Sequence, residues 1–148
     1  MQYFEDMTVG DVREFGEYTM TREEILEFAN QYDPQPFHTD EEAAKQSQFG
    51  GLIASGWHTA SVCMRMLVDN HLSESASAGA RGVHELKWIR PVRPGDTLTC
   101  ESEVIETDAG EGPVGTVTSR LTGFVDGEPV VQWTADAMFE KKRPGSSS

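Results

Sequence analysis

Basic residues are scarce in this chain. Its 148 residues carry 12 Lys and Arg against 25 Asp and Glu, a net charge of −13. A field of that sign repels nucleic acid and anionic membrane surfaces, so neither is expected as a partner. Cysteine is almost absent too. Cys63 sits in an apolar run and Cys100 in a strand-like alternation, without CxxC spacing. They read as buried free thiols rather than a disulfide or a catalytic thiol. No cluster of Cys and His has zinc-ligand spacing, so no metal is expected. No apolar run reaches about 18 residues, and no charged-then-apolar leader opens the chain. A soluble, unsecreted, cytoplasmic protein is the expectation. Residues 1–140 read as one domain with a sizeable core, and residues 141–148 as a basic, then Gly/Ser-rich flexible tail.

What is present begins with Asp33-Pro-Gln-Pro-Phe-His38. A carboxylate and an imidazole stand at the two ends of a proline-stiffened stretch. Each proline fixes its own φ and pushes the residue before it out of the α region, so this stretch reads as a non-helical loop. The pair suits proton transfer if both side chains enter one pocket. The plainer reading makes Asp33 a helix stop and His38 a packed, hydrogen-bonded histidine.

Around that loop the periodicity changes twice. Thr21 with Glu24 is a capping-box pattern, and Ile25, Leu26, Phe28 and Ala29 follow at helical spacing up to about Tyr32. Thr39 with Glu42 is a second box, opening a short helix through Lys45; Asp40 also reads as a helix-start residue. Phe49 to Ser55 is a glycine-bearing loop. From Gly56 to about Leu72 the pattern is helical and apolar nearly all round, which predicts a buried helix with Met64 and Met66 in the core. Those methionines also suit the wall of an acyl tunnel. After a loop through Gly79 the period becomes two. Strands are expected from Val83 to Ile89, Leu98 to Thr107, Val114 to Val125 and Val130 to Phe139. The turns Pro91–Asp96, Gly110–Pro113 and Asp126-Gly127 separate them. Turn-linked consecutive strands imply an antiparallel sheet, and a single apolar helix implies an α+β domain with the sheet wrapped around it. One helix cannot cover both faces, so a homo-oligomer is expected.

Three segments resemble the MaoC-like dehydratases of the hotdog fold, which include (R)-specific enoyl-CoA hydratases. Phe28-Ala-Asn-Gln-Tyr-Asp-Pro-Gln-Pro-Phe-His38 resembles that family's hydratase motif. Phe49-Gly-Gly-Leu-Ile-Ala-Ser-Gly-Trp-His58 is similar to its loop into the central helix. Trp88-Ile-Arg-Pro-Val-Arg-Pro-Gly-Asp96 is similar to its later strand and turn. The resemblance implies a catalytic Asp33 and His38, with the Gly56 N–H stabilising a thioester oxyanion. It also implies a homodimer joined edge to edge, an acyl thioester of CoA or acyl carrier protein as substrate, and no cofactor. Two positions depart from the family's pattern. Gln35 stands where Asn is usual before the second proline, and Ser55 where many members have His.

The implied reaction adds or removes water at the double bond of an α,β-unsaturated acyl thioester. An Asp/His pair can move the protons, and amides at a helix start can carry the oxyanion. A hotdog thioesterase and a non-catalytic thioester-binding module are the alternatives. Gly56 has a packing reading as well. Ser55 reads as an N-cap or a substrate contact, and His58 as a pocket-wall histidine. His71 and His84 show no partner, and Trp57, Trp88 and Trp133 suit core or interface. Arg81, Lys87, Arg90 and Arg93 are either a local phosphate-attracting cluster or ordinary surface charge.

Overall fold

The computed structural model describes residues 1–144. After a short 3-10 turn, β1 (Val12–Thr19) leads into α1 (Arg22–Tyr32), α2 (Pro36–Thr39) and α3 (Glu41–Lys45). The long helix α4 (Gly56–Asn70) follows, then β2 (Ser77–Trp88), β3 (Thr97–Asp108), β4 (Val114–Val125) and β5 (Glu128–Glu140). The five strands form one antiparallel sheet in the order β1-β3-β4-β5-β2. It wraps around α4 in the hotdog arrangement expected from the sequence.

The core lies between α4 and the concave face. Val62, Cys63 and Met66 of α4 meet Leu98 and Cys100 of β3, Leu121 of β4 and Val131 and Trp133 of β5. Each large apolar side chain so buried contributes on the order of 1.5–3 kcal/mol. Gly16, at φ +84°, lets β1 pass over Met66, where any Cβ would collide with its side chain. Both cysteines are buried and free.

Several expectations need correction. The stretch after Asp33 is not wholly non-helical: Pro36 opens the one-turn α2, because its fixed φ suits a first helical position. Asp40, not Thr39, caps α3 by accepting from the Glu42 and Ala43 amides, while the Thr39 hydroxyl donates to the Gln35 carbonyl. Thr21 does cap α1 by accepting from the Glu24 amide, but the Glu24 carboxylate accepts from Tyr18 instead of closing the box. β2 begins at Ser77, inside the expected loop, and α4 gives way to a 3-10 turn at Leu72. Helix α4 is buried on one face only; Trp57, Met64 and Val68 are exposed, so Met64 is not a core residue. A single five-stranded sheet offers just one surface for it to cover. At the C-terminal end, Lys141 and Lys142 are hydrogen-bonded to Pro113 and to Glu5 and Asp6. The rest of the expected tail, 145–148, lies outside the described residues.

His71 closes α4 and packs near Phe139, and its ring borders a cavity of about 240 Å³ with Arg13 and Ser102. Burial, reinforced by the Arg13 charge, pushes its pKa down from 6.5 to about 4. The folded state therefore refuses a proton that the unfolded chain accepts below pH 6.5. That contribution to stability is lost as pH falls from about 6.5 to about 4. Thermal unfolding measured at pH 7.5 and pH 5 should show a smaller acid-induced loss for His71→Gln than for the parent protein.

Candidate active site

Local structure brings Asp33, His38 and Ser55 together from three elements. Asp33 follows the last turn of α1, where its amide donates to the Ala29 carbonyl and Pro34 prevents further helix. His38 is carried inward by α2 and is buried. Ser55 immediately precedes α4 and has no exposed surface.

The bonding of His38 decides its tautomer. Its Nδ1 lies 2.8 Å from the Ile53 carbonyl oxygen. A carbonyl can only accept, so Nδ1 carries the proton and donates, and Nε2 of the neutral ring is a bare acceptor. Nε2 faces Asp33 Oδ2 at 3.4 Å. Two acceptors at that separation attract only through a shared proton or a third donor. The ring is otherwise steered by Phe37, whose edge meets it at 4.5 Å between centroids.

Both oxygens of Asp33 are engaged. Gln35 Nε2 donates to Oδ1 at 2.6 Å, and the Ser55 hydroxyl donates to Oδ2 at 2.7 Å. Burial alone would push this carboxyl up. The Gln35 and Ser55 hydrogen bonds, with His38 beside them, outweigh it and hold the pKa below the usual carboxylate value. Asp33 is thus an oriented anion at the edge of the core.

Gly56 follows Ser55 as the first residue of α4. Its N–H belongs to the amides at a helix start that have no intrahelical acceptor, where the dipole favours negative charge. A groove of about 360 Å³ runs past Gly56, His38, Thr59, Trp88 and Arg90. Asp33 does not line it; the carboxylate reaches the site from behind, through His38 and Ser55. The Trp88 indole lies directly over Gly56, in space that any Cβ would need. So the packing reading of Gly56 holds, and the residue also borders the groove. The cavity beside His71 contains none of the expected residues.

The remaining candidates separate. His58 is buried and stacked on Phe28 at 4.7 Å, and its Nδ1 has no hydrogen-bond partner. Burial pushes its pKa down. His71 and His84 do have partners, contrary to expectation: the Ser75 hydroxyl lies 3.4 Å from His71 Nδ1, and His84 Nε2 lies 2.6 Å from Asp136, across the sheet on β5. Trp133 is buried, whereas Trp57 and Trp88 are half exposed and meet edge to face. The basic residues do not form one patch. Arg93 donates to the Phe49 carbonyl, Arg90 faces Glu128 at 3.6 Å, and Arg81 borders a cleft with Glu106 and Asp136. Among the described residues, no three His, Cys, Asp or Glu side chains are placed to hold a metal ion. The support given by Gln35 and the burial of Ser55 were not legible in the sequence, which marked both as departures from a pattern and read Ser55 as an N-cap or a substrate contact; its side chain makes no capping bond.

With this geometry in hand, the family model described as "MaoC like domain" matches residues 5–123. The chain belongs to the MaoC-like family. It is 39% identical to a MaoC-like dehydratase from Rhodospirillum rubrum of known structure, at a TM-score of 0.89 over 97% of this chain and 99% of that one. It is 27% identical to the (R)-hydratase from A. caviae involved in PHA biosynthesis, with a TM-score of 0.68 over 92% of this chain and 98% of that one. An uncharacterised protein of Bacillus subtilis, YdeM, is 27% identical over 81% of this chain and 85% of its own length. In this MaoC-like chain Asp33 and His38 lie 3.4 Å apart near the α4 start, with His38 lining the groove and Asp33 outside it.

The Trp88–Gly56 contact can be tested by a double-mutant cycle. Gly56→Ala should destabilise the protein by about 1–3 kcal/mol through overpacking. The same change in a Trp88→Ala background should cost much less, as read from urea unfolding midpoints.

Proposed function

We propose that this protein is a hydro-lyase that adds or removes water at the double bond of an α,β-unsaturated acyl-CoA, or of the corresponding carrier-protein thioester. The observation that carries this reading is His38 Nε2 facing Asp33 Oδ2 at 3.4 Å, with the other ring nitrogen bonded to the Ile53 carbonyl. Two acceptors side by side suit one water molecule, which has two O–H groups to donate. Held so, its oxygen lone pair is free to attack the β-carbon. The site then needs a donor for the negative charge that develops on the thioester oxygen. The Gly56 amide, in the same groove as His38, is such a donor and is fixed by the helix before the reaction begins. The similarity to the R. rubrum dehydratase and the A. caviae (R)-hydratase supports the same chemistry. Catalysis belongs in this proposal to Asp33 and His38, oxyanion binding to Gly56.

Residues 1–140 act in this reading as one unit, and two copies assemble. Val83, Trp88 and Ile89, in and just after the edge strand β2, are exposed, as are Trp57 and Met64 on α4. An apolar groove of about 380 Å³ lies between Met64, Trp57, Val83 and Leu86. Among the described residues β2 pairs only with β5, which leaves its outer edge available for a second β2. A dimer formed there covers the bare face of α4 and brings the groove at Gly56 to the interface. No described helix is long and apolar enough to cross a membrane. Free buried thiols suit a reducing compartment, so we place the protein in the cytoplasm.

Incubation with crotonyl-CoA should remove the enoyl absorbance without releasing thiol. Thiol release would instead mark a thioesterase, and tight binding without either change a binding module. On the best substrate of an enoyl-CoA panel, His38→Ala and Asp33→Asn should each lose about 10²–10⁴-fold in turnover while remaining folded. Near-full activity in both variants would sink the assignment. Sedimentation at micromolar concentration should show a dimer, and Val83→Lys should shift it towards monomer.

A further inference from the structure

Ser55 occupies a helix N-cap without capping the helix. A serine there commonly accepts from an amide of the first turn, which stabilises the helix by about 1 kcal/mol. The Ser55 side chain makes no such bond. It is wholly buried, and its hydroxyl donates to Asp33 Oδ2 at 2.7 Å. On the solvent side of the same carboxylate, Gln35 donates to Oδ1 at 2.6 Å. The two donors come from opposite sides, one rooted in the start of α4 and one in the segment between the prolines. Neither touches His38 Nε2.

We propose that Ser55 and Gln35 are positioning residues that clamp Asp33 as a fixed anion and leave His38 Nε2 as the group that exchanges the proton. For its reaction the proposal rests on the hydratase reading above. An oxygen that already accepts a hydrogen bond holds a further proton less well. Both oxygens of Asp33 are in that state, and Nε2 is not. The step then balances on one residue. A water O–H bond breaks and its proton goes to Nε2. The water oxygen bonds to the β-carbon, and the π electrons move towards the α-carbon and thioester oxygen. The α-carbon next takes the proton from Nε2, and His38 returns to neutral. Between these events the imidazolium lies 3.4 Å from the Asp33 anion, which stabilises it. The clamp keeps that anion charged and aimed.

The titratable group facing Asp33 is His38, on α2; α4 presents Ser55 and the interproline segment Gln35, both neutral. Removing either donor must therefore raise the pH at which Asp33 protonates. The test compares kcat, KM and pH profiles on crotonyl-CoA for the parent, Ser55→Ala, Gln35→Ala and Gln35→Glu. It also titrates the Asp33 carboxyl by carbon-13 NMR, assigned with Asp33→Asn. Ser55→Ala should lower kcat about tenfold with KM changed by less than about twofold. It should raise the Asp33 midpoint and the acid limb of kcat together. Gln35→Ala should act in the same direction, and Gln35→Glu should move the midpoint further, because it replaces a donor by a like charge. An unmoved Asp33 midpoint in these variants overturns the clamp. So does a KM rise at constant kcat in Ser55→Ala, which would make Ser55 a substrate contact. If Ser55→Ala does not fold, the exposed Gln35 variants decide the matter. A parent protein inactive on every enoyl thioester would defeat the hydratase reading alone, since the NMR midpoints still judge the clamp.

Discussion

The site depends on one reciprocal contact between α2 and the loop before α4. The Ile53 amide donates to the Phe37 carbonyl, and the Ile53 carbonyl accepts from His38 Nδ1. These two bonds join segments on either side of α3, His38 and Ile53 being 15 residues apart. They fix the plane of the imidazole, its tautomer and the direction of its free nitrogen at once. A histidine on so short a helix would otherwise have two rotatable bonds and two tautomers to choose among. With Ile53 held, Ala54 donates to Val92 and Ser55 arrives under Asp33. Asp33, His38 and the helix start are thus brought together around one backbone junction.

A second constraint is the mismatch between one helix and one sheet. Helix α4 carries apolar residues over most of its circumference, yet the concave sheet covers only the face bearing Val62, Cys63 and Met66. The uncovered side and the edge strand β2 present Trp57, Met64, Val83 and Trp88 to solvent. Exposed apolar area of this kind is what an assembled interface accounts for. Trp88 links the two problems. Its indole fills the space over Gly56 and also meets Trp57, so the strand edge, the helix start and the groove share one aromatic lid.

The sequence was legible where local rules and tertiary packing agreed. Alternation, turn residues and the apolar run after Gly56 located the sheet and the long helix, and the prolines located the end of α1. It misled where a residue had two competing local roles. Pro36 was read as a breaker, but at a first helical position the same fixed φ starts a turn. Thr39 and Asp40 are both good caps, and only geometry chose Asp40. His84 seemed to lack a partner because Asp136 is a neighbour across β2 and β5, not along the chain. At the site, spacing and resemblance marked Asp33 and His38. They could not show which of the two carries charge, because that depends on the donors contributed by Gln35 and Ser55.

That last point explains why polarity is so narrowly distributed around the site. A carboxylate beside an apolar core is costly unless donors replace its water shell. Asp33 obtains neutral donors on both oxygens, and these, with His38 beside them, outweigh the burial that would push the carboxyl up. An arginine in that place would bind the anion more strongly, but it would also repel the imidazolium that the proposed reaction forms on His38. Neutral donors stabilise the carboxylate while leaving its field directed at Nε2. Arg93 is engaged with the Phe49 carbonyl and Arg90 with Glu128, so neither supplies a donor to Asp33. In the proposed reaction, the amide and the hydroxyl around Asp33 therefore serve the proton transfer as well as the packing.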